Sequence, residues 1–331
     1  MAPVQTHMPA STSPRPRPSA PRLAITCGDP AGVGPELVAS WALAHPRGLG
    51  RVTLLGPQAW LEPLRDRCNA RLLAVGDPQY LPAPGKPTMA GARVALAAME
   101  EAARGCVDGM FDAVVTGPVS KEWLAKVSPG FVGQTEFFAQ RWGGEPTMLF
   151  AGGKLRLALA TWHVPLSAVP SELTPERLER AVRRAHWLCR AQGVETPRIA
   201  VCGINPHAGE HGLLGDEEQR WMQPLLRRLR RSMPGVSDPL PGDTVFVRAL
   251  KGEFDATVAA YHDQGLGPLK AVDFDRSVNI TLGLPHIRTS PDHGTAFGLA
   301  GKGEADGRSF AAAIAMAASL TRAQARLGPV D

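Results

Sequence analysis

The sequence predicts an α/β protein built on a largely parallel sheet. Three observations carry that prediction. Short apolar strands alternate with helical stretches along the chain, the first strand runs through a glycine turn into a helix, and later strands end at histidine. In order, Leu23–Thr26 is a strand, Gly28-Asp-Pro-Ala-Gly-Val-Gly-Pro-Glu36 the turn, and Leu37–Ala44 a helix. Arg51–Leu55 is the second strand, Gly91–Arg104 an Ala-rich helix, and Phe111–Thr116 a strand closed by Gly117-Pro118. Leu155–Ala160 is a strand leading to His163. Thr174–Arg190 is a long helix with Thr174 as N-cap and Pro175 at its first position. Arg198–Cys202 is a strand leading to His207, Asp216–Arg231 a helix, Ala256–Tyr261 a strand ending at His262, and Ser309–Ala325 the closing helix. Lys270–Ala296 is too rich in Gly, Pro and Thr for a helix and reads as a donor-bearing loop.

Length and charge narrow the class. The 331 residues suggest about two domains at ~150 residues each. No apolar run is long enough to span a membrane. The net charge of +5 comes from 36 basic and 31 acidic residues that interleave on helices. The densest basic run, Leu226–Arg231, reads as a solvated helix face, and no nucleic-acid motif accompanies it. Five widely spaced cysteines without a CxxC pair read as reduced thiols in a cytoplasm. Residues 1–21 hold six prolines with Ser and Thr; they read as a disordered extension and not as a secretory signal.

Ligands of open α/β sheets bind beyond the carboxyl ends of strands. His163, His207 and His262 each follow such an end. Three neutral imidazoles with an open position suit a divalent ion such as Zn²⁺ or Co²⁺; three unrelated polar strand ends are the alternative. The turn at Gly28–Gly34 has the placement of a phosphate loop but matches neither common phosphate-loop pattern, so a purely structural turn stands beside that reading. Lys270, Asn279 and Arg288 form a set able to clamp a phosphate or carboxylate, with surface charge on a loop as the alternative.

Eight runs together resemble the 4-hydroxythreonine-4-phosphate dehydrogenase family of pyridoxal phosphate biosynthesis. They are Gly28–Glu36, Thr116-Gly-Pro-Val-Ser-Lys121, Gly133-Gln-Thr-Glu-Phe137, Asn205-Pro-His-Ala-Gly-Glu210, Leu240-Pro-Gly-Asp-Thr244, Tyr261-His-Asp-Gln-Gly265, Val278–Pro285 and Arg288–Ala296. They cover about residues 22–325 in the family's order.

The resemblance implies a two-lobed, isocitrate-dehydrogenase-like α/β/α fold with the active site in the cleft between lobes. Residues 22–130 with 285–331 would form the cofactor lobe, and 131–284 the lobe carrying the metal and the dimer contact. It implies a homodimer whose metal site draws on both subunits, with His163, His207 and His262 as ligands of Zn, Mg or Co. Substrate contacts fall on Gln134, Thr135, Lys270, Asn279 and Arg288. Thr289, Asp292, His293, Gly294 and Thr295 would line the NAD or NADP site. Asp243, Asp263 and Lys270 are the candidates for proton handling, the two aspartates also for support of a metal histidine. Gln134 departs from the family, where the position is usually histidine; it still donates and accepts hydrogen bonds but carries no charge near neutral pH. The implied reaction is oxidation of 4-phosphooxy-threonine at C3 and loss of CO₂ to give 3-amino-2-oxopropyl phosphate. Relatives of the family oxidise sugar-acid phosphates or aromatic cis-dihydrodiol carboxylates, and Gln134 keeps those substrates in view.

Overall fold

The computed structural model describes residues 20–45, 47, 51–273 and 275–330. Most of the expected N-terminal extension lies outside the described residues; of its last two, Ala20 is exposed and Pro21 is buried.

The strands are β1 (Leu23–Thr26), β2 (Val52–Gly56), β3 (Arg71–Ala74), β4 (Ala113–Thr116), β5 (Thr147–Ala151), β6 (Leu157–Leu159), β7 (Ile199–Cys202), β8 (Val236–Leu240), β9 (Ala256–Ala259), β10 (Val278–Leu282) and β11 (Ile287–Pro291). They form one sheet in the order β3-β2-β1-β4-β11-β10-β5-β6-β9-β7-β8. The helices are α1 (Gly34–Ala44), α2 (Gln58–Leu61), α3 (Met89–Val107), α4 (Lys121–Val127), α5 (Gln134–Trp142), α6 (Val169–Glu172), α7 (Pro175–Ala191), α8 (Gln223–Leu229), α9 (Gly242–Leu250), α10 (His262–Asp273) and α11 (Arg308–Leu327).

Strands such as β1 and β4 are buried at every residue because helices cover both faces of the sheet, so they read as continuous apolar runs. Helix α7 starts as its sequence dictates: Thr174 accepts from the Arg177 N–H at 3.3 Å, and Pro175 occupies the first turn. The expected helix 216–231 is less regular. A π-turn at Glu218–Met222 feeds α8.

The stretch 270–296 is the main departure from expectation. Lys270 lies in the last turn of α10, and what read as a loop contains two central strands. Their side chains alternate. Ile280 and Thr289 pair across β10 and β11 on one face, while Asn279 pairs with Ser290 and Thr281 with Arg288 on the other. The polar half of that alternation disguised the strands as a loop.

β10 also reverses the sheet. It runs antiparallel to both β11 and β5, and β5 is antiparallel to β6. The largely parallel sheet is therefore two parallel blocks joined through an antiparallel centre. One face carries a continuous apolar layer under α1, α7, α8 and α11. The other carries two separate clusters, one under α3 and α5 with Phe138 and Trp142, the other under α9 and α10 with Phe246 and Leu269. Between those clusters the floor is polar: Asn279, Thr281, Arg288 and Ser290. That gap positions the candidate site.

Candidate active site

A cavity of about 200 Å³ sits over the polar floor. Gln134, Thr135 and Glu136 enter it from the first turn of α5, Lys121 from the start of α4, Lys270 from the last turn of α10, and Asn279, Arg288 and Ser290 from the sheet. All five residues expected to contact substrate are thus in one place. His163 and His262 line the same cavity, as do Asp292 and His293.

Arg288 is 3% exposed. Its guanidinium donates to Thr116 Oγ1 at 2.8 and 3.1 Å and to Asn279 Oδ1 at 3.4 Å, all neutral acceptors. Burial pulls its pKa down to about 10, with Glu136 opposing. A buried cation without a carboxylate partner is costly, and an anionic ligand would offset that cost. Burial works against the Glu136 carboxylate as well. Hydrogen bonds from His163, its own backbone N–H and Trp162 outweigh it and hold the group at about 2. Asp292 goes the other way: burial pushes it up to about 6 against the pull of Lys270, 4.0 Å away, and His262.

Buried polar atoms without partners gather here. Gln134 Oε1, Glu136 Oε2, Asp292 Oδ2 and His293 Nε2 are four of them. Buried polar groups are otherwise nearly always paired, so this cluster marks a surface shaped for a polar ligand. Gln134 itself is anchored by Nε2, which donates to the Gly117 carbonyl at 3.3 Å, leaving Oε1 free.

A second cavity of about 480 Å³ adjoins the first through Lys270, Asp292 and His293. Val33, Leu37 and Leu299 give it apolar walls, and Gly294 lines it. Two expected cofactor residues do not line it. Thr289 is fully buried on the opposite face, where its hydroxyl donates to the Ala313 carbonyl at 2.8 Å. Thr295 instead supplies the carbonyl that accepts the Val33 N–H at 2.9 Å. The strand alternation that aims Arg288 into the cleft necessarily turns Thr289 away from it.

The Gly28–Gly34 turn is shaped by packing. Gly28 has φ +74°, and a Cβ there would overlap the Pro118 carbonyl oxygen. A Cβ on Gly34 would overlap the Cys27 carbonyl oxygen. Buried Asp29 accepts from the Ala31 N–H at 3.0 Å, and burial raises its pKa. These contacts favour the structural-turn reading.

The three histidines follow β6, β9 and β7, which are consecutive and parallel, so their carboxyl ends share one edge of the sheet. His163 and His262 have ring centroids 5.9 Å apart. His207 lies farther along that edge, 63% exposed, and lines neither cavity. Among the described residues no group of three His, Cys, Asp or Glu side chains closes on a metal position. His163 and His207 are both left-handed, with φ 50° and 52°. His207 opens a run of five such residues through His211. Left-handed backbone costs roughly 1–2 kcal/mol per non-Gly residue, and such strain concentrates at functional sites.

Of the proton-handling candidates, Lys270 lines both cavities. Asp263 is 91% exposed and contacts His262 Nδ1 at 2.7 Å. Asp243 is exposed in the first turn of α9 and lines neither cavity. Sequence reasoning passed over Lys121 and Glu136. Both sit inside runs that carry the resemblance: Glu136 is the charged residue in the first turn of α5 beside Gln134 and Thr135, and Lys121 opens α4.

The profile of the family described as pyridoxal phosphate biosynthetic protein PdxA matches residues 58–317. The chain belongs to the PdxA family. PdxA relatives named 4-hydroxythreonine-4-phosphate dehydrogenase include those of Thioalkalivibrio sulfidiphilus and Vibrio cholerae. The first is 45% identical, covering 91% of this chain and 97% of its own; the second is 42% identical, covering 93% and 100%. The crystal structure of the Klebsiella pneumoniae enzyme of that name superposes with a TM-score of 0.76 at 33% identity, covering 92% of this chain and all of its own. A terephthalate 1,2-cis-dihydrodiol dehydrogenase from Burkholderia xenovorans superposes at 0.67 with 28% identity, covering 91% and 98%. This PdxA chain therefore has the α/β fold of solved dehydrogenases, and no helix among its described residues is long and apolar enough to cross a membrane.

Proposed function

We propose that the protein oxidises 4-phosphooxy-L-threonine at C3, with decarboxylation to 3-amino-2-oxopropyl phosphate, in the cytoplasmic synthesis of pyridoxal phosphate. The observation that carries this reading is the single cavity uniting Arg288, Lys270, Asn279, Thr135 and Gln134 with two imidazoles. Its chemistry is two-sided. Arg288, Lys270 and Lys121 suit the phosphate and carboxylate of the substrate. The unpartnered oxygens of Gln134 and Glu136 suit its ammonium and hydroxyl donors.

A divalent ion fits in part. His163 and His262 provide two imidazoles beside the substrate cavity, and the exposed His207 would be the third, donated by a second copy of the chain. Exposed Leu166 near His163 and exposed Leu213 near His207 are consistent with a contact between copies there. Zn, Mg or Co held by these residues would supply a Lewis acid for both the oxidation and the decarboxylation. NAD or NADP, bound in the larger cavity along Asp292, His293 and Gly294, would supply the two-electron acceptor.

The chain's own residues do the rest. Arg288 and Asn279 fix the anionic end of the substrate on a rigid strand pair. Lys270 Nζ, at the junction of the two cavities and 4.0 Å from Asp292, would hold an anionic oxygen of the substrate. Arg288 and Ser290 on the floor of the cleft are themselves buried between the apolar clusters on either side.

The test is an assay of NAD⁺ reduction with 4-phosphooxy-threonine before and after removal of divalent ions. Turnover lost on chelation and restored by added metal supports the reading; full activity without any divalent ion refutes it. The second reading, a sugar-acid phosphate or an aromatic dihydrodiol carboxylate as substrate, draws on the Burkholderia xenovorans likeness and on Gln134. The same assay run over a substrate panel decides between them.

A further inference from the structure

We propose that Glu136, Glu210 and Asp263 are positioning residues. Each fixes one of His163, His207 and His262 as the tautomer protonated on Nδ1, so that Nε2 is the nitrogen offered to a metal. The inference rests on the metal reading above, extends it to Glu136 and Glu210, and gives Asp263, until now one of two aspartate candidates, a stated partner and nitrogen.

The geometry is consistent across three unrelated pieces of chain. His163 Nδ1 lies 3.4 Å from Glu136 Oε1, His207 Nδ1 lies 3.0 Å from Glu210 Oε2, and His262 Nδ1 lies 2.7 Å from Asp263 Oδ1. The carboxylates stand 27 residues before, three after and one after their histidines, so no shared local turn produces the pattern. It is also selective. The other described histidines are His45, His186, His211, His286 and His293, and none of them meets a carboxylate. His45 and His293 turn Nδ1 to a backbone carbonyl instead. Thus the histidines that follow three adjacent parallel strands are the ones with carboxylates.

The chemistry follows from donor counting. An ionised carboxylate only accepts, so the ring nitrogen facing it carries the hydrogen. A neutral imidazole has one N–H, which leaves Nε2 with the lone pair that a metal needs. The carboxylate also makes the ring a better ligand and limits its rotation. Glu136 is the best fixed of the three. The oxygen that meets His163 also accepts from Trp162 Nε1 at 3.0 Å, and the adjoining His163 backbone is left-handed. It therefore holds a ring that its own backbone does not favour.

The test is metal affinity, measured on the whole protein with Co²⁺ in competition with a chromophoric chelator and followed by the Co²⁺ absorption bands. Glu136→Ala should bind Co²⁺ about 10–100-fold more weakly with altered bands, the usual penalty for losing such a partner. Glu136→Gln, which keeps an acceptor oxygen, should recover most of the affinity. Asp263→Ala, at an exposed position where folding is not at stake, should also weaken binding. A merely structural Glu136 would lower the melting temperature and leave the affinity and bands of the folded protein unchanged. Wild-type Co²⁺ affinity and spectrum in Glu136→Ala and Asp263→Ala would overturn the proposal. His163→Ala separates the two ideas. If it too binds Co²⁺ normally, the metal reading itself fails. If it loses Co²⁺ while the carboxylate variants keep it, the positioning proposal alone fails.

Discussion

Replacing Arg288 by methionine should leave the ligand-free protein at least as stable while removing its response to anions. The guanidinium is 3% exposed, touches only neutral acceptors, and has its pKa pulled down to about 10 by burial. Two to three pKa units at 1.36 kcal/mol each amount to roughly 3 kcal/mol against the charged form. The sign is fixed by the direction of the shift. A base whose folded pKa lies below its unfolded value carries this cost in full at every pH below about 10. Methionine fills much of the same space without charge and gives up the bonds to Thr116 and Asn279, together about 1–2 kcal/mol. The net expectation is a change between zero and about 2 kcal/mol toward stability. Wild type should recover more than that with ligand, since an anion at a hundred times its Kd adds ~2.7 kcal/mol. Denaturant melts of both proteins, with and without inorganic phosphate, measure all four states. A ligand-free loss of more than about 2 kcal/mol in Arg288→Met would refute the reasoning. So would an undiminished gain with phosphate.

Other outcomes are equally accessible. Asp292 binds its proton more tightly folded, near pH 6, than unfolded, near 3.8, so its contribution to stability falls as pH rises through that window. Asp292→Asn should abolish that component, about 3 kcal/mol in all, in melts taken between pH 4 and pH 7. Gly34→Ala places a methyl on the Cys27 carbonyl oxygen and should cost about 3 kcal/mol, read as a lowered melting temperature. Ala208→Gly relieves a left-handed alanine at φ 54° and should stabilise by about 1 kcal/mol in denaturant melts, provided the run keeps its shape.

The residues that could be read from the sequence are those whose local chemistry agrees with their tertiary role. Thr174 and Pro175 cap α7 as they would in an isolated helix, and Leu23–Thr26 and Ile199–Cys202 are strands because both faces demand apolar side chains. Asn279, Thr281 and Arg288 defeated the same logic. They are central strand residues that face a polar cleft, so their composition imitates a loop. Glu136 was hidden differently. Its partners Trp162 and His163 lie 26 and 27 residues away, and only the fold brings them together. The resemblance puts Thr289 on the cofactor site, whereas the two-residue period of a strand turns its side chain away from the cleft that Arg288 faces.

The place of β11 has a consequence for how the chain is made. It fills the slot between β4 and β10, and its Arg288 pairs with Val114, 174 residues earlier. A ribosome adding about 5–20 residues per second needs roughly 10–35 s to cover that distance. For that interval β1 to β4 can assemble, but β4 stands at the border of an unfinished sheet with its backbone groups unclaimed. An apolar, unpaired border of this kind invites pairing with other nascent chains. Two of the cleft-floor residues, Arg288 and Ser290, thus arrive on the strand that closes the first block, and the cleft cannot be completed before β11 is made.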